Sequence, residues 1–409
     1  MIAFHYPPAN MSSGIQRTLK FSAYLPAHGY EPMVLTIAPR AYPSTTDDQM
    51  GDIPAGVVVE RAFGLDTSRH LSFRGRFLRY MALPDRWISW WPAAVWRGMA
   101  MIRRHRPAAI LSTYPIATAH LIGLTLHRLS GLPWIADFRD SMTESDYPSD
   151  PFTRRLYRRL EQATVHRCTR ALFTTEGARK MYAERYPDIP AERWRVVENG
   201  FDEESFRDAL DGFTPPAQAV PGPVTLLHSG VLYPQERDPR PFFAALRALR
   251  QAGEIEAGTL KVVLRATASD SLYRGMIEEY GLQGIVALEP SVGYRAALRE
   301  MLGVDGLLVF QAASCNHQIP AKIYEYFRAG RPILALTDPA GNTADTLRAA
   351  GVRDIADLAD EADITRALRQ FLAGMREGTL AGVAPAVAAR HSRQARTAEL
   401  AAVLDEMLR

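Results

Sequence analysis

The chain has 409 residues, and its 48 Lys plus Arg against 45 Asp plus Glu leave a formal charge of +3. With 47% hydrophobic and 23% charged residues it has globular proportions, which exclude a disordered, collagen-like or low-complexity chain. Two domains are expected at this length, because single cores stop growing at roughly 250–300 residues.

Residues 2–5 read as a short buried strand. The loop Asn10-Met11-Ser12-Ser13-Gly14-Ile15-Gln16-Arg17 follows and leads into a helix over 16–28. Ser12 and Ser13 are suitable N-caps, and Gly14 lets the backbone approach a ligand. A helix start carries free N–H groups and roughly half a positive charge, which favours phosphate. The same residues also describe an ordinary capped helix.

Strands are expected next at 33–37 and 57–60. The segment 69–106 interleaves Arg74, Arg76, Arg79, Arg86, Arg97, Arg103 and Arg104 with Phe73, Phe77, Tyr80, Trp87, Trp90, Trp91 and Trp96. We read most of these rings as packing into the first domain above solvated arginines. Peripheral contact with anionic lipid is the competing expectation. Residues 108–126 carry no acidic or basic side chain except His120, but Pro115 divides them. They predict a buried strand at 109–113 and a helix at 116–129, with a membrane span as the minor reading.

Strands at 134–137, 171–175 and 195–197 complete the first half, with a helix over 151–170 between the first two. The stretch 214–223 is Pro-rich and uncharged, and reads as a connector. Beyond it, strands are predicted at 224–229, 260–265, 285–288, 306–310 and 332–336, with helices at 240–251 and 321–329 and a last helix over 392–408. Strands alternating with helices indicate parallel α/β sheets, so each half is expected to be Rossmann-like, with a cleft between them. The expected organisation is 1–213 as one domain, 214–223 as linker, 224–390 as a second domain, and 391–409 as a terminal helix able to pack on either domain, with the first as one of the two options. Ligands in such sheets bind beyond the carboxyl ends of the strands.

Two loops of the second half occupy such positions. The first holds Gly230 and, seven residues on, Arg237; an arginine fork there suits phosphate oxygens, unless Glu236 or Asp238 neutralises it at the surface. The second runs Asn316-His317-Gln318-Ile319-Pro320-Ala321-Lys322-Ile323-Tyr324-Glu325 and on to Gly330 as a helix C-cap. Lys322 and Glu325 share a helix face. Lysine is scarce in this chain (Lys20, Lys180, Lys261 and Lys322), so a lysine at this position points to a compact charge for phosphate. Glu325 is placed to accept hydrogen bonds from a ribose diol.

These segments, with Trp134-Ile135-Ala136-Asp137-Phe138-Arg139-Asp140 and Glu198-Asn199-Gly200-Phe201-Asp202, resemble GT-B glycosyltransferases, specifically glycosyltransferase family 4. The resemblance runs nearly the full length. It implies two Rossmann-like domains around a cleft and a nucleotide-sugar donor held mostly by the second. It also implies transfer with retention and without metal. By position, Ser13 and Gly14 would approach the donor or acceptor. Gly230 and Arg237 would meet the diphosphate, with Gln318 and Lys322 close by, and Glu325 would bind the ribose. Arg139 and Asp140 fall where relatives carry His-Asp beside the reacting sugar. Three positions depart from the pattern: His317 stands for the first glutamate of E-x7-E, Val231 for an arginine after the loop glycine, and Arg139 for the histidine. Arg139, Asp140 and His317 are accordingly the residues expected at the reacting centre, and Lys322 the replacement cation.

The expected acceptor is a sugar, a lipid-linked sugar or a small molecule, and no nucleic acid is expected as a partner. A related epimerase or phosphorylase, and a non-catalytic sugar-nucleotide binder, are the alternatives. The two cysteines, Cys168 and Cys315, form no disulfide framework or zinc pattern. The start of the chain lacks a basic region followed by an apolar stretch. A cytoplasmic location is therefore expected.

Overall fold

The computed structural model describes residues 1–10, 14–144, 146–216, 222–234 and 236–409. Ser12 and Ser13, and residues 217–221 of the expected connector, lie outside them. The chain forms two compact units: Met1–Asn199 together with Arg393–Arg409, and Gly200–Ser392.

In the first unit the described strands are β1 (Ile2–Ala3), β2 (Met33–Ile37), β3 (Val58–Ala62), β4 (Ile110–Thr113), β5 (Trp134–Phe138), β6 (Arg170–Phe173) and β7 (Trp194–Val196). They form one parallel sheet in the order β3-β2-β1-β4-β5-β6-β7. β4 and β5 are buried along their whole length, as parallel strands covered on both faces must be. The apolar stretch tested for membrane spanning is therefore core: it becomes β4 and the helix Ala117–Ser130. Gly123 lets that helix lie against the sheet, because a Cβ there would meet Ser112 Oγ and Trp134 Nε1 at 2.8 Å. Among the described residues, no helix is long and apolar enough to cross a membrane.

In the second unit β8 (Val224–Ser229), β9 (Leu260–Arg265), β10 (Val286–Glu289), β11 (Gly306–Gln311), β12 (Ile333–Thr337) and β13 (Ile355–Ala356) form a second parallel sheet, in the order β10-β9-β8-β11-β12-β13. Each sheet thus reverses its strand order beside its first strand, between β1 and β4 and between β8 and β11. A crevice opens at the carboxyl ends of such a pair.

The division between units falls earlier than the proline-rich connector. The Glu203–Leu210 helix, capped by Asp202 on Ser205 N–H at 2.9 Å, belongs to the second unit. Its Phe206 and Ala209 pack with Leu298, Met301 and Leu302, and Glu203 holds Arg328 through two bonds of 2.6 and 2.7 Å. At the other end, the helix Arg393–Leu408 buries Leu400, Ala401 and Leu404 against Phe21, Leu25 and Ile135 of the first unit. The first helix also ends sooner than its periodicity predicts. It spans Gly14–Tyr24 and passes into a 3-10 turn, Leu25–His28, because Pro26 has no N–H to continue the ladder.

Candidate active site

In the second unit β8 delivers His228 and, just past its end, Gly230. Lys322 opens the helix Lys322–Ala329 that follows β11. The Lys322 ammonium donates to His228 Nε2 at 3.1 Å. His228 Nδ1–H is occupied by the Leu308 carbonyl at 3.0 Å, so Nε2 carries the lone pair. Burial, and then the Lys322 charge, hold His228 well below an ordinary histidine. Burial pushes Lys322 well below the usual lysine range, and the charge of Arg237 adds to this; the Glu325 carboxylate opposes both.

Gly230 has φ +115, and a Cβ on it would lie 3.0 Å from Lys322 Nζ. Glycine is required here both for the backbone conformation and for the space above the ammonium. Arg237 turns inward: its Nη1 donates to the Val231 carbonyl at 2.7 Å, its guanidinium stands 5.2 Å from the Tyr233 ring centre, and its Nε is buried with no hydrogen-bond partner among the described residues. Among the described residues Arg237 pairs with neither Glu236 nor Asp238, and Asp238 is held by Arg240 at 2.8 and 3.0 Å.

Glu325 accepts from Tyr294 Oη–H at 2.8 Å, and Tyr326 accepts the Ser229 N–H at 3.0 Å, tying the helix to the end of β8. His317 and Gln318 lie on the loop entering this helix. Gln318 is held there by its N–H on the Cys315 carbonyl at 2.9 Å and by Thr343 Oγ1 on its own carbonyl at 3.0 Å. The loop after β9 braces the other side: Gly230 N–H donates to the Arg265 carbonyl at 2.9 Å, and Leu232 N–H to that of Thr267 at 3.1 Å. Ala266 (φ 57) and Ala268 (φ 65) in this loop are left-handed, which is strained for residues bearing a Cβ.

In the first unit Gly14 begins its helix beside Arg139, just beyond β5. A Cβ on Gly14 would fall 2.3 Å from both Arg139 Nη1 and Nη2. Burial lowers the Arg139 pKa and Arg17 adds to the effect, while Asp140 and Asp137 oppose it. His5, at the end of β1, is pushed down to about 3 by burial and by the Arg139 charge. His5 therefore faces the Arg139 charge as a neutral group. Asp140 is exposed at the same strand end. Arg17 and Asp137 do different work: they form a buried bidentate pair, 2.8 and 2.9 Å, that ties the first helix to β5. Ser13 lies outside the described residues.

The second unit thus brings Gly230, Arg237, Lys322 and Glu325 together, and the first brings Gly14, Arg139 and Asp140 together. Sequence reasoning missed His228 and His5. Each is a histidine at or just past the end of the first strand of its sheet, beside a reversal of strand order that only the folded sheet reveals.

Residues 14–200 match the family model of the glycosyl transferase 4-like domain, just under half of the chain. Sucrose-phosphate synthase from Thermosynechococcus elongatus is similar at TM-score 0.69 and 13% identity, covering 99% of this chain and 98% of that one. HepE of Anabaena, solved in complex with UDP-glucose, is similar at TM-score 0.66 and 12% identity, covering 99% of both chains. A UDP-N-acetylglucosamine 2-epimerase is similar at TM-score 0.57 and 13% identity, covering 95% of this chain and 91% of that one. No curated protein sequence matches the chain.

Proposed function

We propose that this GT-B-fold chain, whose residues 14–200 carry a glycosyl transferase 4-like domain, moves a sugar from a nucleoside diphosphate sugar to an acceptor hydroxyl. The observation that carries the reading is the convergence at the carboxyl end of β8 of Lys322, whose Nζ would lie 3.0 Å from a Cβ on Gly230, and the inward-turned Arg237 of the following loop, whose charge depresses the Lys322 pKa. Two half-buried cations that repel each other favour a dianion. A diphosphate supplies one, and it gains charge as the bond to the sugar breaks. Fixed cations of this kind are often the largest single contribution to such catalysis.

In the proposed reaction the bond between the anomeric carbon and the β-phosphate oxygen breaks, and a bond from that carbon to the acceptor oxygen forms on the same face. The acceptor proton passes to the leaving diphosphate, and the configuration is retained. The charge on the diphosphate is met by Arg237, Lys322 and backbone N–H groups, so the reading needs no metal. Glu325 binds the ribose diol. Arg139, Asp140 and His317 orient the sugar and the acceptor. The Anabaena protein bound to UDP-glucose makes uracil the first base to test. Both cysteines are buried free thiols, in keeping with a reducing, cytoplasmic setting.

A thermal-shift panel of nucleoside diphosphates and their sugars tests this reading. The matching diphosphate should raise the melting temperature of the wild-type protein, and the shift should vanish in the Arg237→Ala/Lys322→Ala double variant. A panel without any shift, or a shift surviving in the double variant, overturns the site. His317, standing where the family pattern has a glutamate, favours a second reading as a non-catalytic binder. Diphosphate-sugar binding with neither transfer nor slow hydrolysis would establish that one.

A further inference from the structure

The segment following the short helix Thr67–His70 is a hairpin that packs little of itself against the protein. Phe73 and Arg76 exchange both backbone hydrogen bonds, at 2.8 and 3.0 Å, around a tip formed by Arg74 (φ 51) and Gly75 (φ 76). Two consecutive positive φ values make this a tight primed turn. Every residue from 73 to 81 is exposed. Phe73, Leu78 and Tyr80 are 77%, 71% and 78% exposed, values far from those of core side chains.

We propose that this hairpin is a membrane-docking wedge for an anionic lipid surface. Three observations select lipid. Residues 67–84 contain Arg69, Arg74, Arg76 and Arg79 and no Asp or Glu, so the segment complements a negatively charged surface. Phe73 beside the tip and Leu78 below it protrude into solvent instead of lining a groove, as suits insertion into an interface. The backbone groups of Phe73 and Arg76 that flank the tip pair with each other, which lowers the cost of entering a low-dielectric interface. The base of the hairpin is braced on the helix Pro151–Arg167: Arg79 pairs with Asp150 and lies 4.7 Å from the Phe152 ring centre, and Tyr80 meets the same ring edge-on at 6.4 Å. The hairpin is therefore preformed, and little ordering entropy opposes its insertion. A single-stranded nucleic acid would use the arginines and stack on Phe73 and Tyr80, but would leave the exposed Leu78 without a role.

The test is flotation of the full chain with phosphatidylcholine vesicles, with and without phosphatidylglycerol. It contains no donor, so it is independent of the proposed transferase activity. Wild-type protein should float with the anionic vesicles and much less with the neutral ones. Arg74→Gln/Arg76→Gln should weaken binding about thirtyfold, roughly fivefold per arginine. Phe73→Ser/Leu78→Ser/Tyr80→Ser should abolish the binding that persists at high salt. Arg74, Arg76, Phe73 and Leu78 are exposed and Tyr80 gives up only its edge-on contact with Phe152, so circular-dichroism melts should fall by no more than a few degrees. Arg103→Gln/Arg104→Gln removes the same charge from another exposed site and should bind as wild type. The proposal fails if wild type ignores anionic vesicles, if the triple serine variant binds unchanged, or if the Arg103/Arg104 variant loses as much as the hairpin variants. Tighter binding to a single-stranded oligonucleotide than to vesicles would also overturn it.

Discussion

Lys322 Nζ donates to His228 Nε2 at 3.1 Å, and the Leu308 carbonyl holds the other nitrogen of His228 as the N–H donor. A neutral, tautomer-fixed imidazole therefore sets the direction of an ammonium that would otherwise sweep a cone. That ammonium lies over Gly230. The backbone carbonyl of β11 is thus coupled through one buried histidine to the proposed phosphate end of the site.

This arrangement has a pH signature. In the free protein Lys322 is depressed by burial and by Arg237, and a bound diphosphate would raise it. Between the free and bound pKa values, binding takes up a proton, so affinity falls as pH rises, by up to about tenfold per pH unit. Below the free-protein value Lys322 is charged in both states and the dependence disappears. Isothermal titration of the diphosphate in buffers of different ionisation heat should show proton uptake that is lost in Lys322→Ala. Turnover should fall about 10²- to 10³-fold in Lys322→Ala and in Arg237→Ala, since each removes charge stabilisation from the leaving group. Full activity in either variant would remove that residue from the mechanism.

Gly14→Ala separates activity from stability. The new Cβ would collide with Arg139 Nη1 and Nη2, the far end of a flexible side chain, so Arg139 can swing aside at little cost to the fold. Alanine also favours the helix by up to about 1 kcal/mol. The expected outcome is an unchanged or slightly raised melting temperature with a clear loss of kcat/KM. Wild-type kcat/KM would show that the position of Arg139 is immaterial.

The sheets were legible because parallel strands buried on both faces leave near-continuous apolar runs, as in Trp134–Phe138 and Gly306–Gln311. Two-residue strands such as Ile355–Ala356 leave no such run. The Lys322 segment was legible through its lysine, a rare residue in this chain. His228 was not, because one histidine in an apolar strand has no periodicity, and only strand order reveals that it lies at the reversal. The domain boundary was drawn at composition, the proline-rich stretch, whereas packing placed Phe206 and Ala209 in the second core.

The loop after β9 holds strain that glycine would relieve. Ala266 and Ala268 both adopt positive φ, at a cost of about 1–2 kcal/mol each for residues with a Cβ. Ala266→Gly and Ala268→Gly should each stabilise the protein by up to about 1 kcal/mol, less than the strain because glycine also frees the unfolded chain. Chemical denaturation with an unchanged m-value is the appropriate measurement. A loss of stability in both variants would mean that the methyl groups contribute more by packing than the backbone loses by strain.

Asp137 lies in the same motif as Asp140 but serves the fold. Its carboxylate accepts two bonds from Arg17 and one from Thr113 Oγ1 at 3.2 Å, and both charged side chains are 1% exposed. Asp137→Ala leaves the guanidinium buried and short of its counter-ion, and should cost about 3–5 kcal/mol. Replacing both partners, Arg17→Met with Asp137→Leu, should recover most of that loss, because no uncompensated charge remains. A double variant as unstable as the single one would show that Arg17 contributes mainly through its bond to the Glu198 carbonyl, 2.9 Å.

Acid sensitivity should come in part from His120. It is wholly buried between the helix Ala117–Ser130 and the sheet, with Nδ1 2.8 Å from Ser112 Oγ, and burial lowers its pKa from 6.5 to about 3, with Asp137 opposing. Above pH 6.5 the ring is neutral in both folded and unfolded chains and adds no pH dependence. Below it the unfolded chain binds a proton that the folded one refuses, so stability falls by about 1.4 kcal/mol per pH unit until the folded ring titrates near pH 3. His5, also lowered to about 3, adds a parallel slope. Urea denaturation of wild type and His120→Gln between pH 7 and 4.5 isolates the contribution. The variant starts lower, having lost native packing, but its stability should decline less steeply with acid. Parallel declines would show that His120 keeps an ordinary pKa or gains its proton without unfolding.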